Sequence, residues 1–175
     1  DLEHYGSGEI VRDIAAGRGD IGIVGETVDP AAELENFPFA EIRLVLVTPL
    51  RHPLSRRRKI AFREALDREF VGFAAGSPMQ DLLNYHAFRA GRRLKLRIRL
   101  NGSDLMCQMV EKGIGLAILP ETAARRSQES MAIHVIPLTD TWALRHLSIC
   151  VRSFSSLPAH AQRLVEFLRP PKPVS

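Results

Sequence analysis

The sequence predicts an α/β fold with a mostly parallel sheet, and three observations predict it. Short apolar runs of strand length alternate with segments of helical period. The runs are bounded by Gly or Pro, as buried strands are. Two strand-to-helix junctions carry the small residues that start helices. With 175 residues, 45% of them hydrophobic, the chain can bury about two thirds of its unfolded surface without a metal or disulfide staple, as one domain or two small lobes.

Residues 8–16 place Ile10, Val11, Ile14 and Ala15 on one helical face, started by Ser7-Gly8 and stopped by Gly17. Asp20-Ile21-Gly22-Ile23-Val24-Gly25 reads as a buried strand of the parallel sheet. A turn near Asp29-Pro30 leads past Phe37-Pro38-Phe39 to a strand at 42–48, ended by Pro49. Residues 62–66 form a short helix and 70–73 the next strand. Ser77 stands at an N-cap and Pro78 at the first position of a helix reaching Ala90, which Gly91 ends. A strand at 94–100 has a basic face (Lys95, Arg97, Arg99), and Asn101-Gly102-Ser103-Asp104 turns into a capped helix over 104–112. Gly113 and Gly115 precede a buried strand at 116–119, closed by Pro120. Residues 121–130 begin as helix and end as loop. Strands at 133–138 and 146–152 and a helix at 158–168 complete the pattern, and the Pro-rich tail 170–175 continues none of it.

The net charge of +4 rests on two clusters. Arg51, His52, Arg56, Arg57, Arg58 and Lys59 read as a solvated loop; Arg92, Arg93, Lys95, Arg97 and Arg99 surround the basic strand. Neither interleaves aromatics that would stack on bases, so direct nucleic-acid binding by this chain is not expected. No run reaches the roughly 18 apolar residues that span a bilayer, and the start Asp1-Leu2-Glu3 lacks the layout of a signal peptide. The expectation is a cytoplasmic protein without membrane partners. Cys107 and Cys150 lie in apolar patterns and read as buried thiols. The histidines show no zinc-binding pair, no nucleotide-binding or hydrolase motif is present, and no metal or cofactor is expected. Gly17-Arg18-Gly19-Asp20 precedes a strand where a phosphate loop must follow one, so it reads as a helix end. The functional signals are the junctions Gly76-Ser77-Pro78-Met79 and Asn101-Gly102-Ser103-Asp104, where helix N–H groups are free to receive an anion.

In order along the chain, several stretches resemble the effector-binding region of LysR-type transcriptional regulators. They are Gly8-Glu9-Ile10-Val11 through Ala16-Gly17 with Asp20-Ile21-Gly22-Ile23; Leu46-Val47-Thr48-Pro49 with His52-Pro53-Leu54; the 70–76 strand with Ser77; and Val110-Glu111-Lys112-Gly113-Ile114-Gly115-Leu116-Ala117-Ile118-Leu119-Pro120. The last is the most specific, resembling the family's V-x-x-G-x-G-[IL]-[AG]-x-[LV]-P. The resemblance implies two Rossmann-like lobes of the periplasmic binding protein type II kind: lobe one at 1–70 and 136–169, lobe two at 71–135, and a tail at 170–175. It implies an effector, an organic or aromatic acid, held in the inter-lobe cleft by Ser77, Pro78, Met79, Asn101, Gly102, Ser103, Val24, Gly25 and Glu26, with Thr48 and Pro49 toward the hinge. It further implies binding without catalysis, a homodimer that becomes a tetramer in the full-length protein, and DNA reached only through a winged helix-turn-helix. Nothing here resembles that reader, and the match begins after the first strand and helix of lobe one. The expectation is therefore a fragment whose incomplete lobe exposes sheet edge. Two alternatives share the fold: a transporter's solute-binding protein, and an enzyme of prephenate dehydratase-like or deaminase-like type. The enzyme needs a catalytic acid, base or cofactor, for which Glu26, Asp104 and Cys107 are the candidates; Cys107 reads as core.

Overall fold

In the computed structural model, which describes residues 6–25 and 33–170, the stripe of Val11 and Ile14 lies buried beneath α1 (Ser7–Ala15). The helix closes at Gly17, φ +74°, with Arg18 N–H donating to Asp13 O (2.9 Å) and Gly17 N–H to Ile14 O (3.1 Å). That is a Schellman end, as the reading of Gly17-Arg18-Gly19 expects. The chain divides into two compact units, Asp1–Ile42 with Arg145–Ser175, and Arg43–Leu144. Expected lobe limits at 70 and 136 both fall inside the second.

In the first unit the strand order is β1 (Gly22–Gly25), β7 (Leu144–Val151), β2 (Glu35–Pro49). Contrary to the parallel sheet expected around it, β1 pairs antiparallel with β7, Gly22 opposite Cys150 and Gly25 opposite Leu147. An apolar run reports burial and carries no information on strand direction. Val24 and Cys150 join Val11 and Ile14 in one small core, while Ile149, Val151 and Val165, the last from α6 (Ala159–Leu168), form another with Phe37 and Phe154. Strand β2 starts seven residues before the expected Ile42, because Phe37 and Phe39 share one half-buried face while Pro38 and Ala40 are exposed.

The second unit holds the remaining strands. Strands β3 (Glu69–Phe73) and β4 (Lys95–Leu100) are parallel. Strand β5 (Ala117–Pro120) is antiparallel to β2, Val47 opposite Ala117, and β6 (Ile133–Pro137) flanks β2 on its other side. A parallel bridge, Phe70 to Leu116, ties β3 to the start of β5. So β3, β4 and β5 run one way and β2 runs against them. Helices α3 (Pro78–Arg89), α4 (Ser103–Glu111) and α5 (Glu121–Gln128) return the chain, and α2 (Phe62–Ala65) is a single turn. Val45, Val47, Val71, Met106, Cys107, Val110, Leu119 and Ile133 belong to one core. The polar stretch expected to end as loop is helical to Gln128, since Ala124 and Ser127 are buried and Arg125 pairs with Glu121 one turn away (2.9 Å).

His52-Pro53-Leu54 forms a tight 3-10 turn at Pro53–Arg56, in which His52 Nδ1 accepts from Leu54 N–H (3.2 Å). Burial and the nearby Arg68 push the His52 imidazole below its ordinary pKa of 6.5. The unfolded chain therefore takes up this proton first as pH falls. The neutral imidazole's contribution is whole above about pH 6.5 and is lost progressively below it, down to the folded-state value. Urea melts of wild type and His52→Asn should differ most above pH 6.5, and the difference should narrow as the pH falls below it; parallel curves through pH 6.5 would refute the linkage.

Candidate functional site

The two helix starts singled out by the sequence lie side by side. Phe73 and Leu100, the last residues of β3 and β4, are register partners, and Ala74 N–H donates to Leu100 O (3.1 Å) just beyond them. Each strand then turns directly into its helix. The starts of α3 and α4 are thereby brought to one end of the sheet by the parallel pairing itself.

Capping differs from the expectation at both. Ser77 holds the N-cap of α3, but its side chain makes no cap hydrogen bond. At α4 the N-cap is Gly102, φ +96°, and Ser103 is the first helical residue. The left-handed turn at Gly102 lets the helix begin one residue early, without a side-chain cap. First-turn N–H groups have no partner within a helix, and each start carries the positive end of its helix dipole. Pro78 removes one N–H from α3. Those of Met79 and Gln80, and of Ser103, Asp104 and Leu105, remain. Ser77, Met79 and Ser103 are half-buried, while Pro78, Asn101 and Gly102 are exposed.

Of the other expected site residues, Thr48 and Pro49 belong to the same unit as the helix starts, and Val24 and Gly25 to the first unit. Thr48 lies opposite His134 near the start of β6, at the far end of the strands from both junctions. It is fully buried and its hydroxyl donates to Pro49 O (3.1 Å). Because β2 runs against β3, β4 and β5, its final residues reach the opposite edge, so the structure does not bring Thr48 or Pro49 to the helix starts. Val24 turns its side chain into the core of the first unit. Gly25 donates its N–H to Ser7 Oγ (3.2 Å). Glu26 lies outside the described residues.

One positioning residue escaped the sequence reading. Gln80 is 2% exposed; its Oε1 accepts from Phe73 N–H (2.9 Å) and its Nε2 donates to Asn84 Oδ1 (3.0 Å). It ties the first turn of α3 to the last residue of β3. The signal was the S-x-x-Q spacing of Ser77 and Gln80, which predicts a capping box; the amide instead serves the strand. Gln80→Leu strands the Phe73 N–H and should cost about 1–3 kcal/mol, read as a lower urea midpoint at unchanged m-value.

Two of the three catalytic candidates, Asp104 and Cys107, are otherwise engaged, and Glu26 lies outside the described residues. Asp104 accepts from Ser127 Oγ (3.3 Å) and faces Arg126 (3.6 Å). Cys107 is fully buried, and burial pushes its thiol up, as it does for Cys150. Among the described residues no group of three His, Cys, Asp or Glu is placed to hold a metal ion, and no helix is long and apolar enough to cross a membrane.

A family model described as the LysR substrate binding domain matches residues 1–170. A probable RuBisCO transcriptional regulator of Synechocystis is 26% identical over 145 residues, 79% of this chain and 41% of the relative; one of Emiliania huxleyi is 25% identical over 86% of this chain and 50% of its own length. The chain thus spans about half or less of these relatives. Among solved structures, the Synechocystis CcmR regulatory domain in complex with 2-PG superposes with a TM-score of 0.77 at 18% identity, covering 96% of this chain and 80% of that one. The effector-binding domain of QuiR in complex with shikimate gives 0.68 at 17%, covering 93% and 76%.

Proposed function

The chain belongs to the LysR substrate-binding domain family, and from that premise we propose that it senses a small organic or aromatic acid at the paired starts of α3 and α4. The observation that carries the reading is the register of Phe73 with Leu100, which aligns the two helix N-termini on one sheet end. A carboxylate placed there receives backbone N–H donors and the positive ends of two helix dipoles without needing a basic side chain. Ser77, Met79 and Ser103 line the position, with Pro78, Asn101 and Gly102 at its rim. The domains of QuiR and BenM are solved with shikimate and benzoate, both carboxylates, which supports the acid class.

The site binds and does not catalyse. Its acid, Asp104, is held by Ser127 and Arg126, and the buried Cys107 thiol is kept protonated. The lobe assignment, 1–70 with 136–169 and 71–135, belongs to the same proposal. So do a cytoplasmic location, a homodimer that becomes a tetramer in the whole protein, and contact with DNA through a separate reader domain. The test is a thermal-shift screen of this chain with shikimate, benzoate and a panel of related acids, in wild type, Ser77→Ala and Ser103→Ala. An acid-dependent rise in melting temperature, reduced in the variants, supports the reading. No rise with any acid, or rises the variants leave intact, would sink it.

A further inference from the structure

The sequence carries two basic clusters, and the fold pairs them to different extents. Around β4 the charge is answered in part: Arg92 pairs with Asp67, Arg97 with Glu69 (3.0 Å), and Lys95 Nζ donates to Asp67 O (3.2 Å), while Arg93 and Arg99 are exposed and make no ion pair among the described residues. In the 51–59 cluster, Arg57 pairs with Glu64 (2.9 Å). Arg51, Arg56, Arg58 and Lys59 are exposed and make no ion pair among the described residues. No acidic residue occurs between Ile42 and Arg63.

The turn that presents these cations is also tightly held. His52 N–H donates to Pro49 O (3.1 Å), Ser55 N–H to His52 O (2.9 Å), Arg57 N–H to Leu54 O (2.9 Å) and Ile60 N–H to Pro137 O (3.1 Å). Ser55 Oγ adds a bond to His52 O (2.7 Å). Like charges gathered on a fixed turn repel one another, so the arrangement opposes folding unless a polyanion relieves it. We propose that the Arg51–Lys59 turn docks on the phosphate backbone of double-stranded nucleic acid. Guanidinium groups match phosphate oxygens in pairs, and the four unpaired cations are three arginines and one lysine. The composition argued against nucleic acid because aromatics for base stacking are missing. Backbone contacts to a duplex need none, and such binding is independent of sequence.

Fluorescence anisotropy of a 30-base-pair duplex of arbitrary sequence, titrated with this chain from 50 to 200 mM salt, tests the surface. Four phosphate contacts give a slope of log K against log salt of about −4. The triple variant Arg56→Ala/Arg58→Ala/Lys59→Ala should flatten that slope by about 2 to 3 and weaken binding more than tenfold at the lowest salt. Arg92→Ala/Lys95→Ala/Arg97→Ala, an equal loss of charge from side chains held by Asp67 and Glu69, should change binding less than threefold. Absence of binding at 50 mM salt, an equal loss in both triple variants, or displacement by polyglutamate as readily as by duplex of the same total charge would each overturn the proposal.

Discussion

Ser103→Asp is expected to abolish the acid-induced rise in melting temperature while leaving the unliganded protein as stable as wild type, or slightly more so. Ser103 is the first residue of α4, where a carboxylate is favoured by about 0.3–1 kcal/mol through the helix dipole. The same carboxylate would stand where the ligand's own is proposed to bind. Two like charges about 4 Å apart repel by about 4 kcal/mol at an effective dielectric constant of 20. Half of that is already roughly a thirtyfold loss of affinity. Stability and binding thus move in opposite directions, which truncation to alanine does not achieve. Calorimetric titration with whichever acid shifts the wild type gives the affinity, and a melt without ligand gives the stability. Unchanged affinity in Ser103→Asp would remove the helix starts from the site.

Gly115→Ala is the substitution expected to cost most stability. A Cβ at Gly115 would stand 2.9 Å from Glu69 O, 3.0 Å from Phe70 C and 3.1 Å from Val71 N. These are backbone atoms of β3 and cannot swing aside. Relief requires the 115–116 segment to move off β3, stretching the bonds from Val71 N–H to Leu116 O (2.7 Å) and from Leu116 N–H to Glu69 O (2.8 Å). Overpacking of this kind costs about 1–3 kcal/mol, and weakening the two bonds adds about 1 kcal/mol each. Gly113 differs: a Cβ there meets nothing within 4 Å, and the glycine is needed for its φ of +74°. It closes α4 with Ile114 N–H on Met109 O (3.0 Å) and its own N–H on Val110 O (2.8 Å). Gly113→Ala should therefore cost only about 1–2 kcal/mol. Urea melts of the two variants check the order; equal losses would mean that close approach at Gly115 is not what selects glycine there.

The stretch that marks the family is legible residue by residue in these terms. Val110 is core, Gly113 closes the helix, Gly115 lets the chain pass against β3, and Leu116 to Leu119 are buried. Each requirement is local, or concerns a single close neighbour, and leaves a fixed residue type at a fixed position. Helix ends were legible for the same reason, and so were the two junctions, where a short polar turn separates a strand from a helix. The cap at Gly102 was missed by one residue, because Ser103 is itself an ordinary capping residue.

What the sequence determined by itself is the set of elements, the faces they bury and the glycines that turn them, all of which follow from periodicity and backbone sterics. What only the tertiary structure decided is which strand ends meet. Strand direction leaves no trace in a buried apolar run, so β1 was expected in a mostly parallel sheet and pairs antiparallel, and Thr48, expected toward the hinge, stands at the far end of the strands from the two helix starts. The juxtaposition of Ser77 with Ser103 and the reach of Gln80 to the Phe73 N–H depend on pairings between residues distant in the chain or turned back across a junction. The same holds for the ion pairs of Arg92 and Arg97 with Asp67 and Glu69, which the 51–59 turn matches only at Arg57. Each of these partners is set by the folded register, which the local pattern does not encode.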